Sequence, residues 1–346
     1  MSSAAHWALK SALTWLAVIA LLAAAFAVRY ALVQGVFTSA APVSPGACRT
    51  IAGGLQGAGD FEIDALHDAI LISATDEGAK ATAGQGAIYF LKLTDLTAAP
   101  AKLEGPPASF HPGGISLFRG PDGSESLTVI DHRPNGRSLI EGYSVISDGQ
   151  TAKLSPQTAV QGRLLVSPHG VAAMAPDRFY VTNDHVTTGA LGRFAEDYLI
   201  WPHADILLSG ATGLRIAAQR LAFPGGLLAR KGFLYVAAAN ERRIIALSIE
   251  DFTGNLTEIG ALSLPARPGN ISMDVAGNLI VAGQSKPGSS KVFRLRLDDK
   301  GVPVSYETLF SDDGHMLKGA SAAAVWNGQL FISAAADSKM LVCTLK

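Results

Sequence analysis

The chain has 346 residues, 48% of them apolar and only 16% charged, with a formal net charge of −1. That balance, with Lys and Arg scattered along the chain, argues against a nucleic-acid surface. No Walker loop, GxSxG elbow or HExxH helix occurs, which removes phosphate-loop, serine-hydrolase and zinc-protease chemistry of those kinds.

The first element in chain order is an apolar helix. From Ser11 to Val28, between Lys10 and Arg29, no charge occurs. At ~1.5 Å per residue this stretch spans roughly 27 Å, close to the thickness of a bilayer core. Trp7 and Tyr30 stand at its two ends, where amphipathic rings favour the interface. A secretory signal cut after Ala25-Phe26-Ala27 is one reading. The span exceeds the usual apolar region of a signal peptide, so an uncleaved anchor over residues 1–30 is preferred. Residues 31–47, with Pro42, Pro45 and many small side chains, read as a linker. The globular part, 48–346, then lies on the periplasmic or extracellular side.

That part is built on a repeated phrase: proline, a variable residue, glycine or asparagine, then an apolar strand. It reads Pro112-Gly113-Gly114-Ile115, Pro168-His169-Gly170-Val171, Pro224-Gly225-Gly226-Leu227 and Pro268-Gly269-Asn270-Ile271. Proline cannot donate to a sheet ladder and glycine permits close backbone approach, so the phrase suits a strand entrance at a crowded place. A second phrase keeps the same beat: Leu71-Ile72-Ser73, Leu127-Thr128-Val129, Phe179-Tyr180-Val181, Leu234-Tyr235-Val236, Leu279-Ile280-Val281 and Leu330-Phe331-Ile332. Polar residues follow these strands, namely Asp76, Asp131-His132, Asn183-Asp184-His185, Asn240, Gln284 and Asp337. Six units of roughly 50 residues, each too small to bury its own faces, predict radial stacking. The fold class is therefore all-β, a six-bladed β-propeller behind an N-terminal transmembrane or signal-anchor helix. Inner strands are expected to begin near Ile63, Ile115, Val171, Leu227, Ile271 and Ala322. Chemistry is to be sought at the variable residues of the proline phrases, facing the channel.

Two cysteines bracket the globular part, Cys48 at its start and Cys343 near its end. An exported chain meets an oxidising compartment, and a propeller must bring its first and last strands together. A Cys48–Cys343 bond would lock the ring, with Cα atoms roughly 4.4–6.8 Å apart; two unrelated buried thiols are the plainer alternative.

Several phrases, in order, resemble the paraoxonase/arylesterase family: Gly57-Ala58-Gly59-Asp60-Phe61-Glu62, Ser109-Phe110-His111-Pro112-Gly113-Gly114-Ile115-Ser116 and Phe179-Tyr180-Val181-Thr182-Asn183-Asp184-His185. Asn270-Ile271-Ser272 and the closing run from Gly319 to Cys343 complete the set. The resemblance implies a six-bladed propeller that hydrolyses lactones and aryl esters. It also implies a channel calcium polarising the carbonyl and a pair of histidines activating water. Carried over residue by residue, the family's Glu-Asp ligand phrase falls on Gly59-Asp60 and its Asp-Asn pair on Gly269-Asn270. Two further ligand asparagines fall on His169 and Gly225. One histidine of the pair falls on Gly113 and the other on His132, while His185 is retained.

The surviving set is Asp60, His169 and Asn270 as metal ligands, with His132, His169 and His185 as catalytic candidates. A His/carboxylate set suits a borderline divalent metal better than calcium, and a neutral imidazole beside a carboxylate is equally a general base. The plain alternative for each histidine, His111 included, is that it satisfies loop backbone in a tight channel mouth. His67, His203 and His315 read as surface or loop residues. The long stretch Thr187–Asp205, with Phe194, Tyr198 and Trp201, is expected as a lid over the channel, walling a pocket or touching the membrane. Two functions follow. One is a membrane-tethered hydrolase of a small ester or lactone; the other is a non-catalytic propeller binding a small molecule or a partner in an emptied channel.

Overall fold

The computed structural model describes residues 3–33, 35, 36, 38, 41–75, 86–133, 136–210 and 213–345; Asp76 lies outside them. The chain divides into two units, 1–39 and 40–346. The first is a helix, Ser3–Val33. Within it, Lys10–Leu32 has a mean hydropathy of 2.3 and is nowhere buried. It is long and apolar enough to cross a membrane, which makes it a transmembrane or signal-anchor candidate.

The second unit is a six-bladed β-propeller, each blade a four-stranded antiparallel sheet. The first strands of the blades contact one another around a closed ring and so line the channel. They are Ala58–Asp64, Pro112–Arg119, Pro168–Ala175, Pro224–Arg230, Arg267–Met273 and Ala320–Trp326. Five begin close to the expected residues. Blade one is a correction: its inner strand starts at Ala58, well before Ile63, because Gly57-Ala58-Gly59-Asp60 does the work of the missing proline phrase.

The phrase has a definite conformation. In every blade the pairing of first and second strands slips at the entrance, between Pro112 and Ile115, Pro168 and Val171, Pro224 and Leu227, and Pro268 and Ile271. The same slip falls between Ala58 and Asp60 and between Ala320 and Ala322. These are β-bulges, which bend a strand and re-aim its side chains. Neighbouring entrances approach so closely that a Cβ on Gly170 would lie 2.2 Å from the Gly225 carbonyl oxygen. Glycine is required there.

Between blades the apolar second strands interlock. Leu71, Phe90, Ile115, Leu127 and Val129 form one buried cluster, and Tyr235, Ile271, Val281 and Phe293 another. Full burial of each such side chain contributes about 1.5–3 kcal/mol, which one blade alone cannot secure. The strand Cys48–Ile51 closes the ring as the outer strand of blade six, paired with Met340–Thr344. Cys48 faces Cys343 in that register, and the two are disulfide-bonded with Cα atoms 4.0 Å apart. The separation is shorter than expected because directly opposed residues of an antiparallel pair approach to about 4.5 Å.

Polar residues at the ends of the second strands serve mainly as braces. Asp131 accepts a bond from the His111 backbone N–H at 2.8 Å. Asn183 accepts from Val166 and Ser167, and Asp337 from Lys318. Each ties the loop that leads into its own blade's inner strand.

Candidate active site at the channel mouth

Strand entrances and second-strand ends meet at one mouth of the channel. Two predicted histidines, His169 and His185, come together there around a residue that was not predicted, Phe223. The rings of His169 and His185 pack edge-on to Phe223 at 5.8 and 5.2 Å, and the Arg267 guanidinium lies over its face at 5.7 Å. Phe223 holds a left-handed backbone with φ of 53°, costly for a bulky side chain. Strain of this kind is found where surroundings over-determine a conformation.

His132 lies beside this group. A Cβ on Gly113 would sit 2.7 Å from its Nε2, so the ring occupies the space that a side chain at 113 would take. Its Nδ1 is 3.2 Å from the Ser138 hydroxyl. Its surface reaches solvent, while desolvation of the ring where it packs on the protein and the neighbouring His169 hold its protonation below the ordinary histidine range.

His185 is the opposite case. Nδ1 lies 2.8 Å from Asp184 and Nε2 3.0 Å from Asp197, and these pairings, that with Asp184 first, raise its pKa to about 8. Burial alone would raise Asp184, but the bond from His185 and the nearness of His169 hold it below the usual carboxylate range. Asp197 comes from the helix Ala190–Tyr198, the expected lid segment, so His185 joins that helix to the blade. Arg267 donates to Asn240 Oδ1 at 2.7 Å, and desolvation lowers its pKa.

The metal candidates are placed differently. Both Asp60 oxygens accept backbone N–H groups, from Phe61 and from Ile115 of the next blade, each at 2.9 Å. Glu62 does the same for Leu117 at 3.4 Å. Desolvation pushes Asp60 up to about 8 and Glu62 to about 7. Together they satisfy the free inner edge of blade two. Asn270 reaches across the channel, donating its amide to the Gly59 carbonyl at 3.4 Å. Asn270 therefore meets the residue beside Asp60, while His169 keeps the company of Phe223 and Gly225.

Calcium takes six to eight oxygen ligands. Of the three candidates, one is a carboxylate that already accepts two N–H groups, one an amide that donates through its nitrogen and one an imidazole, so they supply too few oxygen ligands for that ion. Among the described residues, the group of three His, Cys, Asp or Glu side chains with ligand atoms within 4.8 Å of one another is Asp64, His67 and Glu125, at the far end of the inner strands.

Phe223 and Arg267, like His111, are the residues immediately before the proline of a phrase. The bulge turns that position, as well as the one after proline, toward the mouth. A bulky or cationic side chain before a recurring proline was the available signal.

Geometry and fold thus define a six-bladed propeller with an imidazole-lined mouth. A family model described as Arylesterase matches residues 77–345, and this chain belongs to that paraoxonase/arylesterase family. It is 26% identical over 253 residues to serum paraoxonase/lactonase 3 of Oryctolagus cuniculus, covering 68% of this chain and 69% of that one. It is 28% identical over 242 residues to human (Homo sapiens) serum paraoxonase/arylesterase 2, covering 65% and 66% respectively. The aligned part is thus about two thirds of each relative's length. Among solved structures, a PQQ-bound aldose sugar dehydrogenase from Streptomyces coelicolor superposes with TM-score 0.57 at 15% identity, over 87% of this chain and 99% of that one. A luciferin-regenerating enzyme gives 0.54 at 12%, over 88% and 99%. At such identity these two speak for the fold alone.

Proposed function

We propose that this chain is a membrane-tethered hydrolase of carboxylic esters or lactones. In this reading residues 1–30 anchor it, 31–47 link, and the propeller, 48–346, works on the periplasmic or extracellular side. Family membership supports the reaction class, since the relatives are named for arylesterase and lactonase activity. The observation that carries the site is the gathering of His169, His185 and Arg267 on Phe223 at one mouth, with the ring of His132 filling the space beside Gly113.

The reaction is water attack on an acyl carbon. His132 takes the proton of the attacking water, and the carbonyl oxygen becomes an oxyanion. Arg267 brings positive charge to the mouth where that oxyanion develops, while His185, with both ring nitrogens paired to carboxylates, holds the lid helix beside it. His169, beside both, disfavours charge on His132 and keeps it a base. Collapse breaks the acyl C–O bond, and the departing oxygen takes the proton from His132. An ester yields acid and alcohol; a lactone yields a hydroxy acid. No step runs through calcium, because the channel donors do not fit it.

The test is turnover of phenyl acetate and of lactones of several ring sizes by the purified chain, with and without chelator. Turnover that survives chelation and falls in His132→Gln supports the imidazole route, and loss on chelation would overturn it. No turnover of any ester or lactone would leave the propeller as a binding module.

A further inference from the structure

We infer that Asp64, His67 and Glu125 form a binding site for a borderline divalent cation, of the zinc type, at the end of the propeller opposite the channel mouth. Asp64 ends the inner strand of blade one, His67 sits in the turn that follows, and Glu125 opens the second strand of blade two. The site would therefore stitch two blades together.

The carboxylates are oriented as a metal site requires. Asp64 Oδ1 accepts the backbone N–H groups of Leu66 and His67 at 3.0 and 3.1 Å and lies 3.4 Å from Arg119 Nη2. Glu125 Oε1 accepts from Arg119 Nη2 at 2.6 Å and from Nε at 3.0 Å. Each carboxylate thus has one oxygen fixed by an outer partner and the other turned inward. The inward atoms, Asp64 Oδ2 and Glu125 Oε2, lie 2.7 and 3.2 Å from His67 Nδ1. Outer partners that lock carboxylates and leave one lone pair free are the usual support of bound metal. Lys92 holds the His67 carbonyl at 3.0 Å, fixing the turn.

A second observation points the same way. The Glu125 side chain is 1% exposed and that of Asp64 is 0% exposed, yet Glu125 Oε2 accepts no well-directed hydrogen bond, its neighbour being His67 Nδ1 at 3.2 Å. A buried carboxylate oxygen left without a good donor is costly. One nitrogen and two carboxylate oxygens suit zinc, whose tetrahedral bonds of ~2.0–2.2 Å need the Asp64–His67 pair to open by roughly 0.6–0.9 Å and the Glu125–His67 pair by much less. On binding, the proton on Nδ1, where present, leaves to water and the ring carries its proton on Nε2.

This inference does not rest on the hydrolase reading. The chelator-stripped full chain, in detergent, is titrated with Co²⁺ followed by its visible absorption, then with Zn²⁺ in competition, and its thermal midpoint is read with and without Zn²⁺. The expected result is one equivalent bound, displaced by Zn²⁺, with a raised midpoint. His67→Gln and Glu125→Gln should each weaken Co²⁺ at least tenfold, a usual effect of disturbing a metal's surroundings, while Asp299→Asn, on an exposed turn of blade five, leaves it unchanged. Should Glu125→Gln not fold, His67→Gln decides, since the Asp64 bonds to the turn's backbone remain in that variant. A stripped chain that binds neither ion, or a His67→Gln protein that binds like the parent, overturns the site and leaves only a proton shared between His67 and the carboxylates.

Discussion

The two ends of the inner strands handle charge in opposite ways. At the mouth, bulged entrances crowd the backbones together and turn side chains outward, so His132 and His169 reach solvent and Arg267 is half buried. At the far end of blades one and two the inner strands run regularly, and Asp64 and Glu125 are shut between them with Arg119 and His67 around them. In between, Asp60 and Glu62 are spent on the free edge of the next blade. A propeller can therefore hold reactive groups at one rim while the same strands stay locked at the other. The bulge makes the difference.

The contrast needs a closed ring, and opening it should have the largest effect. The Cys48–Cys343 bond spans 295 residues. Chain entropy for so long a loop gives on the order of 5 kcal/mol as an upper figure. Denaturant unfolding of Cys343→Ser, or of the reduced parent, should show a loss of a few kcal/mol. Identical curves with and without reductant would mean that strand pairing alone closes blade six.

Next in size is the base at the mouth. His132→Gln should lower kcat/KM for a turned-over ester by about 10²–10⁴, the range for a lost general base. The acidic limb of the parent's pH profile should vanish with it, and should lie below pH 6.5 because desolvation depresses this histidine. A profile left intact in the variant would move the base elsewhere.

Asp60 tests the region between the two ends. Asp60→Ala strands the buried N–H groups of Phe61 and Ile115, at about 1–3 kcal/mol for each unsatisfied group. Asp60→Asn sharpens the point. The folded protein holds the Asp60 proton up to about pH 8, against 3.8 unfolded. Folded stability is therefore drained as pH rises across that window, and Asp60→Asn should gain on the parent over the same range. A stability difference flat in pH would show Asp60 ionised normally.

Much of the fold was legible because a propeller repeats its solution. Proline, glycine and an apolar run recur at four of the six strand entrances, and the ring-closing cysteines stand where first and last strands must meet. Blade one was misplaced by its lack of proline: Ala58–Asp64 makes the same bulge from Gly57 and Gly59. At the mouth, His132, His169 and His185 were readable from their place on the beat. Phe223, Arg267 and Asp197 were not, since which side of the proline faces the mouth depends on a bulge with no sequence mark of its own. The group of Asp64, His67 and Glu125 has no spacing motif at all. Packing of two blades creates it, and His67 alone reads as a loop residue.

The smallest effect expected is a pH-dependent hold on the lid. His185 is the bond between blade three and the helix Ala190–Tyr198, through Asp197 Oδ1 at 3.0 Å. Its pKa is raised to about 8, chiefly by Asp184, against about 6.5 for an unfolded histidine. The folded state therefore binds the proton more tightly than the unfolded state, and the stability this gives is whole below pH 6.5. It is lost as pH rises through about 8. Asp197 is 35% exposed, so solvent screening holds the effect to about 1 kcal/mol or less. Because the proton is shared with one helix, the loss should be felt there first. Amide exchange of residues 190–198 should quicken between pH 7 and 9, after correction for intrinsic rates, while the inner strands stay protected. Asp197→Asn should remove part of that dependence and His185→Gln nearly all of it. Protection of the helix that is level across this range in the parent would show that His185 does not hold the lid by charge.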